Sequence, residues 1–86
     1  MLKLDILYFA WVREAIGRDG DTIDHPGANA TISDVIEQLS ARGDGYATAF
    51  ADPTRVRAAL DQAFVPLDAR IENAMELALF PPVTGG

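Results

Sequence analysis

The stretch with the most chemistry per residue is Phe80-Pro81-Pro82-Val83-Thr84-Gly85-Gly86. Its reactive group is the α-carboxylate expected on Gly86, which is ionised at neutral pH because such groups titrate near ~3.5. A carboxylate is a poor electrophile, so it accepts sulfur or an amine only after activation, most simply as an acyl-adenylate. Activation requires another protein's active site, and the neighbouring residue types suit insertion into one. Paired prolines restrict φ and favour an extended path. Two glycines make the tip thin enough for a channel in which any Cβ would clash. The plain alternative is a strand terminator followed by a frayed end. The apolar, pre-stiffened run Phe80 to Val83 favours a partner contact instead, because stiffness lowers the entropy cost of docking.

Elsewhere the sequence lacks the sets of residues that chemistry requires. There is no cysteine, hence neither a disulfide framework nor thiol chemistry. The single histidine, His25, stands before Pro26-Gly27; zinc needs three or four ligands, so His25 reads as a solvated turn residue. Asp19 to Asp24 (DGDTID) hints at a calcium loop, but Ala30 stands where the bidentate Glu belongs. No Ser/His/Asp set, Gly-rich phosphate loop or basic aromatic stripe is present. Neither a metal site nor a catalytic site is therefore expected inside the chain. Phe9 and Trp11 read as packing residues, and Arg13 and Glu14 as surface charges paired with each other or with a partner.

Charge narrows the partners. Thirteen acidic residues against seven basic ones give a net charge of −6. That opposes binding to nucleic acid and to anionic membranes, and an anionic substrate would have to be held by a more basic partner. The longest apolar run, Ile6 to Val12, is too short to span a bilayer and lacks a cleavage-site pattern. The expected location is the cytoplasm.

The elements that position the tail follow from periodicity. Residues 2–9 alternate, with Leu2, Leu4 and Ile6 on the face to be buried. Residues 10–17 read as a short helix, with Val12, Ala15 and Ile16 on one side and Gly17 as its stop. Residues 21–25 form a return strand, ended by Pro26-Gly27. The clearest helix lies between Thr31 and Gly43: Thr31 and Asp34 stand at capping-box spacing, and Ile32, Val35, Ile36 and Leu39 form one stripe. Arg42 falls in its last turn and Gly43 just past it. Residues 43–55 read as a connection pinned to the core by Tyr46 and Phe50.

Residues 56–65 are ambiguous, since their alanines favour helix while Val56, Ala58 and Leu60 fit one face of a strand. Residues 75–80 form a strand ended by prolines that cannot donate to a ladder. A hairpin, a crossover helix and further strands give a mixed sheet with one main helix on one face. That is an α+β roll of the β-grasp (ubiquitin-like) type, and it favours strand for residues 56–61. Residues 1–80 form the domain and 81–86 an extended tail. An exposed apolar patch on the sheet, drawn from Leu60, Phe64 or Leu77, would mark the partner surface.

The terminal FPPVTGG, with FAWVREAIG at 9–17 and AALDQAFV at 58–65, resembles the small, ubiquitin-like sulfur carrier subunits of molybdopterin synthase. The resemblance covers the whole chain in length and element order, and the terminal heptapeptide is its most specific part. Asp61 departs from it, because the family often has Asn there. The resemblance implies that Gly86 is adenylated by an activating enzyme that binds ATP and magnesium, and is then converted to a thiocarboxylate. The chain itself would bind no cofactor. Phe80, Pro81, Pro82, Val83, Thr84 and Gly85 would contact the large synthase subunit, in an assembly of two small and two large subunits. There the thiocarboxylate would deliver sulfur to a cyclic pyranopterin phosphate, with the catalytic side chains supplied by the large subunit. Three alternatives stay open: a sulfur carrier for thiamine or cysteine synthesis, a modifier joined through Gly86 to a lysine amine, and an interaction domain with an inert tail.

Overall fold

A computed structural model describes residues 2–82. It contains β1 (Lys3–Tyr8), α1 (Ala10–Ile16), β2 (Gly20–Asp24), α2 (Ile32–Ser40), α3 (Asp44–Ala49), a 3-10 turn (Pro53–Arg55), β3 (Arg57–Leu60), β4 (Ala63–Val65) and β5 (Glu76–Phe80). The strands form one sheet in the order β2-β1-β5-β3-β4. Its centre is parallel, with Asp5 beside Glu76 and Tyr8 beside Leu79; the other pairs are antiparallel.

Alternation in β1 buries Leu4, Ile6 and Tyr8 on one face. Leu2, expected on that face, is exposed because the strand begins only at Lys3. The stripe of α2 closes the same core, with Ile32, Val35, Ile36 and Leu39 all buried. The start of α2 is the capping box its sequence predicts. Thr31 Oγ1 accepts from the Asp34 N–H at 3.1 Å, and Asp34 Oδ2 accepts from the Thr31 N–H at 2.9 Å.

Its end differs from expectation. The helix stops at Ser40, capped at Ala41, so Arg42 falls beyond its last turn; the Arg42 and Gly43 N–H groups still donate to the Leu39 and Ser40 carbonyls, each at 3.0 Å. Gly43, at φ 80°, is also the N-cap of α3, a six-residue helix within what reads as a plain connection. Tyr46 and Phe50 do pin this segment. Phe50 is buried, and Tyr46 meets Tyr8 edge-on with ring centroids 6.4 Å apart.

The strand expected over 56–61 is found as β3, and a second short strand, β4, follows it. Asp61 and Gln62 form a two-residue turn at φ 46° and 72°, and this left-handed pair breaks any helix there. The Asp61 Oδ1 accepts from the N–H groups of Met75 and Glu76, each at 3.0 Å. Only an acceptor oxygen is required at this position, and Asp and Asn both carry one. The turn thereby locks β3 to the start of β5.

The helices α1 and α3 touch at Gly45, where a Cβ would overlap the backbone carbonyl oxygen of Ala15. In an open helix Gly→Ala stabilises by about 1 kcal/mol. Here Gly45→Ala is expected to destabilise by roughly 1–3 kcal/mol, as overpacking does. Urea unfolding measures the sign, and a stabilised variant would contradict the close approach.

Candidate partner-docking site

The chain leaves the sheet along β5, next to a short edge hairpin. Residues alternate across each strand, so the burial of Ala58, Leu60, Leu77 and Leu79 beneath the helices directs their neighbours to the other face. In register across that face stand Phe64 on β4, Ala59 on β3, Ala78 on β5 and Leu7 on β1. Phe80 lies diagonally, paired with Arg57, and its ring centroid is 5.6 Å from that of Phe64. Between Phe64 and Phe80 lies a shallow groove of about 320 Å³, lined by Arg57, Ala58, Phe64, Val65, Pro66 and Phe80.

Phe64 is 81% exposed. A side chain of that size left in water, beside the last residue of the exit strand, makes this face the candidate docking surface. Of the three residues expected in such a patch, only Phe64 belongs to it. Leu60 and Leu77 pair with each other across β3 and β5 on the helix side and are core. Phe9, expected to pack, is 45% exposed: its N–H bonds the Leu79 carbonyl at 3.1 Å while its ring faces solvent. Arg13 pairs with Asp19, at 3.9 Å, and not with Glu14.

Of the tail residues, Phe80, Pro81 and Pro82 are described, all partly buried; Val83, Thr84, Gly85 and Gly86 lie outside the described residues. Pro81 and Pro82 line a second groove with Trp11, Thr54 and Arg55. The structure thus brings Phe80 to the apolar face and the two prolines to the α1 side of the exit.

One cluster has no counterpart in the sequence reading. The Asp21 carboxylate, with its side chain only 7% exposed, accepts from the hydroxyls of Tyr8 at 2.9 Å and Tyr46 at 2.7 Å. Arg18 and Arg42 also reach it, at 3.1 and 3.4 Å. Burial, then the bond to Asp21, pushes the Tyr8 phenol far above its ordinary range. The carboxylate ties β2 to β1 and α3, and so holds the scaffold behind the docking face. No local signal reveals it, because RDGD at 18–21 reads as turn chemistry.

His25 is likewise more engaged than a solvated turn residue. Its Nδ1 accepts from the Gly27 N–H at 3.1 Å, which leaves the proton on Nε2 to donate to the Ala74 carbonyl at 3.0 Å. It fastens the loop after β2 to the one before β5. Among the described residues no group of three or more His, Cys, Asp or Glu could hold a metal, and no helix is long and apolar enough to cross a membrane.

A mixed five-stranded sheet with a parallel centre and one main helix across it define a ubiquitin-like β-grasp protein. The chain belongs to the ThiS family, whose profile matches residues 6–86. It is similar to the molybdopterin synthase sulfur carrier subunit of Haemophilus influenzae, 39% identical over 83 residues, covering 96% of this chain and 99% of that protein. It is also similar to the molybdopterin synthase sulfur carrier subunit of Escherichia coli, 35% identical over 85 residues with coverage of 96% and 99%. Among solved structures, a putative molybdopterin converting factor, subunit 1, from Pyrococcus furiosus superposes with a TM-score of 0.74 at 25% identity, covering 96% of this chain and all of that one. SAMP1 from Haloferax volcanii does so at 0.69 and 24% identity, covering 98% and 99%, a likeness of fold. The resemblance drawn from FPPVTGG and the β-grasp expectation are both borne out.

Proposed function

We propose that this chain is a sulfur carrier of molybdenum cofactor biosynthesis, working as the small subunit of a molybdopterin synthase. One observation carries the reading: an exposed apolar pair, Phe64 with Phe80, stands where the chain leaves the sheet toward Pro81-Pro82 and the Gly85-Gly86 sequence. Near full-length similarity to two proteins named as such carriers supports the pathway. An activating enzyme that binds ATP and magnesium adenylates the Gly86 carboxylate, releasing pyrophosphate. A sulfur donor then displaces AMP to leave a thiocarboxylate. The large subunit, two copies with two carriers, takes the tail through Phe80 to Gly85 and supplies the side chains that pass sulfur to a cyclic pyranopterin phosphate. Water restores the carboxylate. Nothing in this cycle asks the carrier to bind a cofactor, and it fits the cytoplasm.

The missing cysteines make the test sharp. The chain is incubated with activating enzyme, ATP and sulfur donor, alkylated with iodoacetamide, and weighed intact. Before alkylation, sulfur for oxygen nearly matches oxidation of one of the two methionines. Afterwards, a single adduct on the terminal peptide identifies a thiocarboxylate on Gly86. Adenylate without adduct would turn the reading to a protein modifier, and no adenylate at all to an inert tail.

The docking face gives a second expectation. Phe64→Ser removes an exposed ring whose fold contacts are few, so its unfolding midpoint should move little. Its affinity for the large subunit should fall by about 2 kcal/mol, roughly 30-fold, as for a buried aromatic anchor. Titration calorimetry reads the loss, and unchanged affinity would move the docking face elsewhere.

A further inference from the structure

The groove on the α1 side of the exit is not part of the docking face. It measures about 370 Å³ and is lined by Trp11, Thr54, Arg55, Pro81 and Pro82. Trp11 stands in the first turn of α1, a helix tied to the end of β5 by the bond from the Phe9 N–H to the Leu79 carbonyl. Arg55 closes the 3-10 turn, and its guanidinium carbon lies 4.9 Å from the centre of the Trp11 ring. That distance is within the range of cation–π attraction. The turn beneath Arg55 is itself fastened, since Asp52 Oδ1 accepts from both the N–H and the hydroxyl of Thr54, at 3.1 and 2.6 Å.

The core does not explain this arrangement. Arg55 is exposed, and Trp11 is only partly buried at the margin of the hydrophobic cluster. An aromatic held partly exposed at the core's edge, with an apolar face and a polar N–H, has the form of a contact surface. Both side chains meet where the chain leaves the domain, and they share a groove with the two prolines.

We infer that Trp11 and Arg55 are positioning residues: their stacked pair forms a shelf for Pro81-Pro82 that sets the angle at which the base of the reactive tail leaves the domain. The prolines make the segment stiff but do not aim it, because their rings fix φ and leave ψ to the surroundings. A shelf on the domain supplies the aim. It lowers the ordering that a partner must impose when it takes up the tail, and each side chain or segment held in advance contributes to affinity in that way. The consequence for docking rests on the sulfur carrier reading; the shelf itself does not.

The experiment uses both facts. Trp11 is the only tryptophan, so its emission reports the groove without any partner. In a chain truncated after Phe80, emission should shift to the red and acrylamide should quench it faster. The full-length double variant Pro81→Gly/Pro82→Gly should shift the same way by a smaller amount. Identical spectra and quenching in all three chains would overturn the shelf. Affinity for the purified large subunit is then measured in a cycle. Trp11→Ala should weaken binding about three- to tenfold in the full chain and leave it unchanged in a chain lacking 81–86. Equal losses in the two backgrounds would overturn the positioning role. Arg55→Ala, at an exposed position, repeats the cycle if Trp11→Ala lowers stability. If the unaltered chain fails to bind the large subunit, the sulfur carrier reading falls, while the fluorescence comparison still decides the shelf.

Discussion

A chain lacking only Gly86 is expected to form no thiocarboxylate and to support no measurable molybdopterin synthesis, with its unfolding midpoint unchanged. The loss follows from reach. One extended residue spans at most about 3.6 Å, so the remaining carboxylate on Gly85 stops short of the atoms that must attack it. A misplacement of even 1 Å can reduce a rate by about 10²-fold, and a whole residue removes the reacting group from the site. Stability should hold, because the last sheet residue is Phe80 and the docking face lies on β3, β4 and β5. Binding to the large subunit should persist in part through Phe64 and Phe80. Alkylation with intact mass, a cofactor assay and a thermal melt check the three statements. Undiminished cofactor synthesis would falsify the carrier reading, whereas loss of synthesis together with loss of folding would place the effect in the domain.

The largest effect on stability is expected at Asp21→Ala. Removing the carboxylate leaves the hydroxyls of Tyr8 and Tyr46 without their acceptor, and Tyr8 is fully buried. Hydrogen bonds to a charged partner contribute about 1.5–3 kcal/mol each. Arg18 and Arg42 are substantially exposed and can rehydrate, so their share is small. A loss of about 3–5 kcal/mol results, on the order of 15–30 °C in midpoint for a domain of this size. Asp21→Asn keeps an acceptor but turns an amide toward Arg18, and should lose roughly half as much.

The same cluster sets an alkaline limit. With the Tyr8 phenol raised in the folded state, the folded chain holds a proton that the unfolded chain releases. Its contribution is fully present below the ordinary phenol value near ~10 and is lost as pH rises beyond it. Tyr8→Phe should therefore flatten the fall of the melting temperature above that pH. Thermal melts of the four proteins at neutral and alkaline pH decide both points. A midpoint for Asp21→Ala close to that of the unaltered chain would show the carboxylate to be dispensable.

Much of the scaffold was legible because it depends on neighbours in sequence. Thr31 and Asp34 are three apart, and the hydrogen bonds they make are local. Leu4, Ile6 and Tyr8 alternate whatever else the chain does, and Gly17 ends α1 at φ 87° through its own backbone freedom. The end of α2 was misjudged for a physical reason. The Arg42 and Gly43 N–H groups do close the end of α2, but the Arg42 side chain is engaged by Asp21, on a strand about twenty residues earlier, and Gly43 also begins the next helix. The short α3 stayed hidden because six residues with Gly45 near their start carry little propensity of their own. Its place is made by packing on α1.

What the sequence determined by itself is the composition and the order of elements: an acidic chain with paired prolines after its last strand, and the succession of strands and helix that makes a β-grasp roll. Tertiary structure alone decided which apolar residues face out. Leu60, Phe64 and Leu77 look alike in one dimension, and a strand shifted by one residue exchanges its two faces. Only the pairing of β3 with β4 and β5 settles that Phe64 is exposed while Leu60 and Leu77 are buried. The Asp21 cluster and the Trp11–Arg55 shelf were invisible for the same reason: their members stand far apart along the chain and meet only when the sheet closes.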